Sequence, residues 1–125
     1  MARILVVDDD PATRTLVGDV LALEGHDVSL VADGFAALRQ LQAQRPDCLV
    51  LDVMMPGMDG HTVLERLRTV PGCRDLPVIM LTAVTDPSLA WQAWSQGVAA
   101  FMSKPFTAAD LLDRVAESTG HAAAR

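Results

Sequence analysis

Residues 49–60 read Leu-Val-Leu-Asp-Val-Met-Met-Pro-Gly-Met-Asp-Gly, and the first four decide the architecture. Leu49, Val50 and Leu51 follow one another without a polar residue between them, and the run stops at a carboxylate, Asp52. A strand with one face in water alternates apolar and polar residues, whereas a strand covered by helices on both faces does not. Two more runs share the pattern: Ile4 to Val7, ending at Asp8, and Val78 to Leu81, ending at Thr82. These three are expected as central parallel strands. Val28 to Val31 and Ala99 to Ser103 mix Ser29, Ser103 and small residues with apolar ones, as strands with less cover do, and are expected at the sheet edges.

Segments of helical period lie between the runs: Leu16, Val20 and Leu23, then Ala37, Leu38 and Leu41, then Val63, Leu64 and Leu67. Asp10-Pro11 and Asp86-Pro87 read as an N-cap followed by proline at the first helical position. Thr107 caps the last helix, and Asp59-Gly60 is a turn and helix entry. Gly25 and Gly97 sit where helices should stop. The chain is therefore expected to be an α/β domain, strand and helix alternating five times. Right-handed crossovers then give an open parallel sheet with helices on both faces, and ligands bind at the carboxyl ends of its strands. No G-x-G-x-x-G follows the first strand and no G-x-x-x-x-G-K-[ST] occurs, so the usual cradles for dinucleotides and nucleoside triphosphates are missing.

Composition narrows the function classes. With 125 residues, half of them hydrophobic, the chain can bury a core without disulfides or structural metal. A net charge of −6 and a pI near 4.8 disfavour direct contact with nucleic-acid phosphate. The apolar run near Met1 is too short for a signal peptide and nothing approaches a membrane span, so a cytoplasmic protein without membrane contact is expected. Cys48 and Cys73 lack zinc or redox spacing and read as structural. His26, His61 and His121 lack ligand neighbours and are expected at the surface, while Met55, Met58 and Met80 read as packing. Residues 1–118 are expected as the domain and 119–125 as a flexible tail or truncated linker.

What stands at the strand ends is Asp8-Asp9-Asp10, Asp52, Thr82 and Lys104-Pro105. Taken singly, Asp10 is a helix cap and each of the others has an ordinary structural reading; their coincidence on one rim is the signal. Gathered carboxylates repel one another and raise their own pKa values unless a cation neutralises them. Oxygen-only donors with room for water suit Mg²⁺, and Mg²⁺ beside a carboxylate nucleophile points to phosphoryl chemistry. In that chemistry Asp52 attacks, while Lys104 and Thr82 hold phosphoryl oxygens.

Ile4 to Asp9, Leu51 to Gly60, Leu81-Thr82-Ala83 and Lys104-Pro105-Phe106 together resemble the receiver domains of two-component response regulators, a family that includes the single-domain chemotaxis regulator. The resemblance implies a flavodoxin-like (βα)5 fold with strand order 2-1-3-4-5 and a cis bond before Pro105. It implies Asp52 as phosphoacceptor, Asp8 and Asp9 as an acidic pair, and Mg²⁺ held by Asp9, Asp52 and the Met54 carbonyl with Asp8 beside them. It also implies a switch pair, Thr82 and Phe101, that reshapes the face of the fourth helix, fifth strand and fifth helix.

The partners so implied are a histidine kinase or phosphotransfer protein as donor, a downstream protein or fused output domain, and a phosphorylation-dependent homodimer. The acidic pair that supports the dimer of winged-helix regulators is missing from Gly97 to Phe101, which counts against that particular dimer. Trp91 and Trp94 lie three apart on the fourth helix beside an inward stripe of Leu89 and Ala93, and at least one is expected at a partner face. Met54 and Val84 occupy the positions that flank the path of attacking water in the family. The domain is thus a phosphoacceptor rather than an enzyme of turnover. The rival reading is an aspartate-nucleophile, Mg²⁺-dependent phosphohydrolase of the haloacid-dehalogenase kind. It fits poorly, because that family carries its nucleophile after the first strand and here Asp10 is a cap. A pseudo-receiver acting by contact alone fits no better, since no residue of the site is missing.

Overall fold

The computed structural model describes residues 2–83 and 87–120. Five strands, β1 (Arg3–Val7), β2 (Asp27–Val31), β3 (Cys48–Asp52), β4 (Val78–Thr82) and β5 (Ala100–Ser103), alternate with five helices, α1 (Pro11–Leu23), α2 (Gly34–Ala43), α3 (Gly60–Leu67), α4 (Pro87–Ser95) and α5 (Ala108–Thr119). All strand pairs are parallel and the order is β2-β1-β3-β4-β5, as the resemblance implied. The two runs expected at the edges are the edge strands.

The unbroken apolar runs have the expected cause. Along β1, β3 and β4 alternate residues enter two cores: Leu5, Val7, Leu49, Leu51, Val78 and Met80 meet α2, α3 and α4 on one face. Ile4, Val6, Val50, Ile79 and Leu81 meet α1 and α5 on the other. Burying one such Leu or Ile contributes about 1.5–3 kcal/mol. Cys48 and Cys73 are buried in these cores, as are Met55, Met58 and Met80.

The caps expected at Asp10 and Thr107 form, each side chain accepting from the N–H three residues on, and Asp59, expected as a turn and helix entry, and Asp33 cap α3 and α2 in the same way. Gly25 and Gly97 follow helix ends with φ of +90° and +81°. The cap expected at Asp86 and the side chain of Leu89 lie outside the described residues, as do Met1, His121 and residues 122–125.

Helix α1 departs from expectation. Its buried face is Val17, Gly18 and Leu21, while Leu16 and Leu23, read as part of the inward stripe, are 57% and 88% exposed. Both Leu16/Val20 and Val17/Leu21 have i,i+4 spacing, so periodicity alone cannot fix the phase. In the structure Val17, Gly18 and Leu21 face inward, and a Cβ at Gly18 would crowd the end of the Leu30 side chain of β2.

Candidate functional site

Strand register brings the acidic residues to one rim. Val7 pairs with Leu51, so Asp8, the next residue after β1, stands level with Asp52 at the end of β3. Asp52 pairs with Leu81, leaving Thr82 one step further along β4, and Thr82 pairs with Ser103, immediately before Lys104.

Asp8 and Asp52 are almost fully buried, 1% and 5% exposed, and Asp9 is exposed. Carboxylate oxygens of Asp8, Asp9 and Asp52 lie within 4.8 Å of one another. The Lys104 ammonium lies between two of them, 3.1 Å from Asp8 Oδ2 and 3.4 Å from Asp52 Oδ1. The bond from Lys104 to Pro105 is cis, and the Lys104 N–H donates to the Thr82 carbonyl at 2.7 Å.

The frame around these groups is backbone. The Asp10 N–H donates to Asp8 Oδ1 at 2.9 Å and the Met54 N–H to Asp52 Oδ1 at 3.4 Å. Gly60 opens α3 against the end of β3, its N–H donating to the Val53 carbonyl at 2.7 Å. A Cβ there would collide with the Asp52 carbonyl oxygen and the Val53 Cα. Arg14, which the sequence reading passed over, donates to the Asp8 carbonyl at 2.8 Å. Its placement one helical turn after the cap Asp10 was the available signal.

Electrostatics follow from this crowding. Burial, then the charge of Asp8, pushes the Asp52 carboxyl up to about 6 against the pull of Lys104. Burial draws the Lys104 ammonium down, but Asp52 and Asp8 together outweigh it and its pKa rises. Asp10 goes the opposite way: the Thr13 hydroxyl, then the Thr13 N–H, lower its carboxyl, as befits a cap. The donor set of three oxygen carboxylates with one ammonium leaves net negative charge in a nearly closed place, which fits a hard divalent cation such as Mg²⁺.

Thr82 is fully buried at the end of β4. Phe101 is partly buried on β5 opposite Met80, against the α2–α3–α4 core. Trp91 and Trp94 are 76% and 51% exposed on α4, whose Ala93 is buried. Met54 is 56% exposed beside Asp52, and Val84 lies outside the described residues. His61 corrects an expectation: it is buried, with Nδ1 3.1 Å from Gln96 Oε1 and Nε2 without a partner among the described residues. His61 stands at the start of α3 without a local pattern that announces its distant partner Gln96, just after α4.

Residues 4–116 match the family model described as the response regulator receiver domain. The DNA-binding dual master transcriptional regulator RpaA of Synechocystis is 39% identical over 92% of this chain, which spans about half (48%) of that relative. Among solved structures, a response regulator of Chloroflexus aurantiacus superposes with a TM-score of 0.90 at 35% identity, covering 95% of this chain and 98% of that one. The receiver domain of the sensor histidine kinase PA1611 of Pseudomonas aeruginosa, which carries a magnesium ion in its active-site cleft, superposes with a TM-score of 0.88 at 31% identity, covering 95% and 98%.

Proposed function

The chain belongs to the response regulator receiver family, a signalling switch of two-component systems rather than a hydrolase, and from that premise we propose that Asp52 is its phosphoacceptor. The observation that carries the assignment is the buried Asp52 carboxylate, 3.4 Å from the Lys104 ammonium and grouped with Asp8 and Asp9.

An Asp52 oxygen attacks the phosphorus of a phosphohistidine on a histidine kinase or phosphotransfer protein. The P–N bond breaks, its electron pair returns to the imidazole, and an acyl phosphate forms on Asp52. Asp9, Asp52 and the Met54 carbonyl, with Asp8 beside them, would hold Mg²⁺, which when bound would supply positive charge to the phosphoryl group. Lys104 keeps Asp52 ionised at neutral pH and turns its charge to the incoming phosphoryl group. Thr82 offers its hydroxyl to a phosphoryl oxygen, and Phe101 turns inward as it does. That movement reshapes the face of α4, β5 and α5, where exposed Trp91 and Trp94 meet a downstream protein, an output domain or a second copy. The acidic domain works in the cytoplasm without touching nucleic acid itself. Among the described residues no helix is long and apolar enough to cross a membrane. Residues 1–118 form the working unit.

Incubation with acetyl phosphate and Mg²⁺ tests the assignment: one phosphoryl group on Asp52 is expected, lost in Asp52→Asn and in EDTA. Full labelling of Asp52→Asn, or continuous turnover of excess acetyl phosphate, would overturn it.

A further inference from the structure

Five methionines lie within the described residues, and their exposure divides them sharply. Met55, Met58, Met80 and Met102 are 9% exposed or less, whereas Met54 is 56% exposed. The exposed one stands two residues after Asp52 and its N–H reaches Asp52 Oδ1. A large apolar side chain left in water at the mouth of a charged site contributes little to the core, so packing does not account for it.

We propose that Met54 is a site of reversible oxidation by hydroperoxides, and that the sulfoxide shortens the life of the phosphoryl group on Asp52; the second half rests on the phosphoacceptor reading above. The sulfur lone pair attacks the terminal peroxide oxygen, the O–O bond breaks, an S–O bond forms and water leaves. Sulfur is oxidised by two electrons and the peroxide is reduced. Access selects the target: peroxide reaches Met54 and is shut out from the four buried thioethers. The thiols do not compete, because Cys48 and Cys73 are both buried, and burial holds the Cys48 thiol up at about 12.

The consequence follows from hydrogen bonding. A thioether is a weak acceptor, while a sulfoxide oxygen accepts strongly from water. Placed two residues from Asp52, it holds a water that a thioether does not hold, and a held water attacks the acyl phosphate faster than one arriving from bulk. Methionine sulfoxide reductases reverse the change.

Limiting hydrogen peroxide, quenched with catalase and followed by peptide mass spectrometry, tests the first half. Roughly tenfold more sulfoxide is expected at Met54 than at any buried methionine; equal oxidation of all five, or none at Met54, would overturn it. For the second half, the oxidised chain is phosphorylated with acetyl phosphate and Mg²⁺ and the loss of label followed. A several-fold shorter lifetime is expected, restored by reductase. Met54→Leu should decay alike with and without peroxide, and Met54→Gln, which carries an acceptor of its own, should decay fast without it. Normal uptake with an unchanged lifetime after oxidation overturns the effect alone. No uptake by the untreated protein overturns the phosphoacceptor reading and the effect together.

Discussion

The Lys104 ammonium lies 3.4 Å from Oδ1 of Asp52, two strands away across the sheet, and it also contacts Asp8 at 3.1 Å. One cation thus serves two buried carboxylates. It partly neutralises them, and so takes up carboxylate charge that a metal ion would otherwise meet. Asp52 remains only partly compensated, its carboxyl pushed up to about 6 by burial and by Asp8.

Replacing that cation separates the two effects. In Lys104→Met, phosphorylation by acetyl phosphate should slow roughly 100-fold, because a charge aimed at the phosphoryl oxygens is lost. Mg²⁺ should bind more tightly, because nothing competes for the carboxylates. Calorimetric titration and rates of labelling check the pair; weaker Mg²⁺ binding would mean that Lys104 organises the site rather than competing for it.

The raised carboxyl of Asp52 has a pH signature. Its folded pKa of about 6 exceeds the usual 3.8, so the folded chain holds the proton more tightly. That stabilisation is complete below about 3.8 and is lost as pH rises through about 6. The full shift corresponds to about 3 kcal/mol, and water at the rim reduces it, so Asp52→Asn should exceed the metal-free wild type by about 1–2 kcal/mol at pH 7.5. The gap should narrow as pH falls from 6 toward 4, and Mg²⁺ should close it at pH 7.5 by stabilising only the wild type. Urea denaturation of both proteins across this range is the measurement.

Much of this was legible in the chain itself, for identifiable reasons. The runs at Ile4, Leu49 and Val78 lack polar alternation because both faces of β1, β3 and β4 are covered. Once strands are placed, the residues after them share a rim by register, so Asp8, Asp52 and Lys104 could be grouped before any distance was known. What stayed hidden depends on contacts between distant segments. The phase of α1 depends on its packing against β2, where Gly18 meets Leu30, twelve residues away. The buried His61 meets Gln96, thirty-five residues on and just after α4. No local pattern encodes either.

Gly60 shows how closely the site depends on backbone packing. Alanine favours a helix over glycine by about 1 kcal/mol, but here its Cβ would strike the Asp52 carbonyl and the Val53 Cα, neither of which can swing aside. Gly60→Ala should therefore lose about 1–3 kcal/mol in denaturant unfolding and label more slowly, since relief of the clash moves Asp52. Unchanged stability with full labelling would show that the start of α3 can retreat without disturbing β3.

The last prediction concerns how long the signal persists. In the receiver family, polar side chains two places after the phosphoacceptor and two places after the switch threonine accompany fast hydrolysis, and this chain has Met54 and Val84 there. The Met54 side chain extends into solvent beside Asp52 and brings no strong hydrogen-bond group. Hydrolysis needs water in line with the phosphorus, and a water that no group orients reaches that geometry rarely. Phospho-Asp52 should therefore last minutes or more, and Met54→Asn with Val84→Glu should shorten its life. Loss of label from purified protein in Mg²⁺, without kinase, is the measurement. Decay within seconds would mean that backbone groups position the water by themselves, and that the side chains at 54 and 84 do not set the rate.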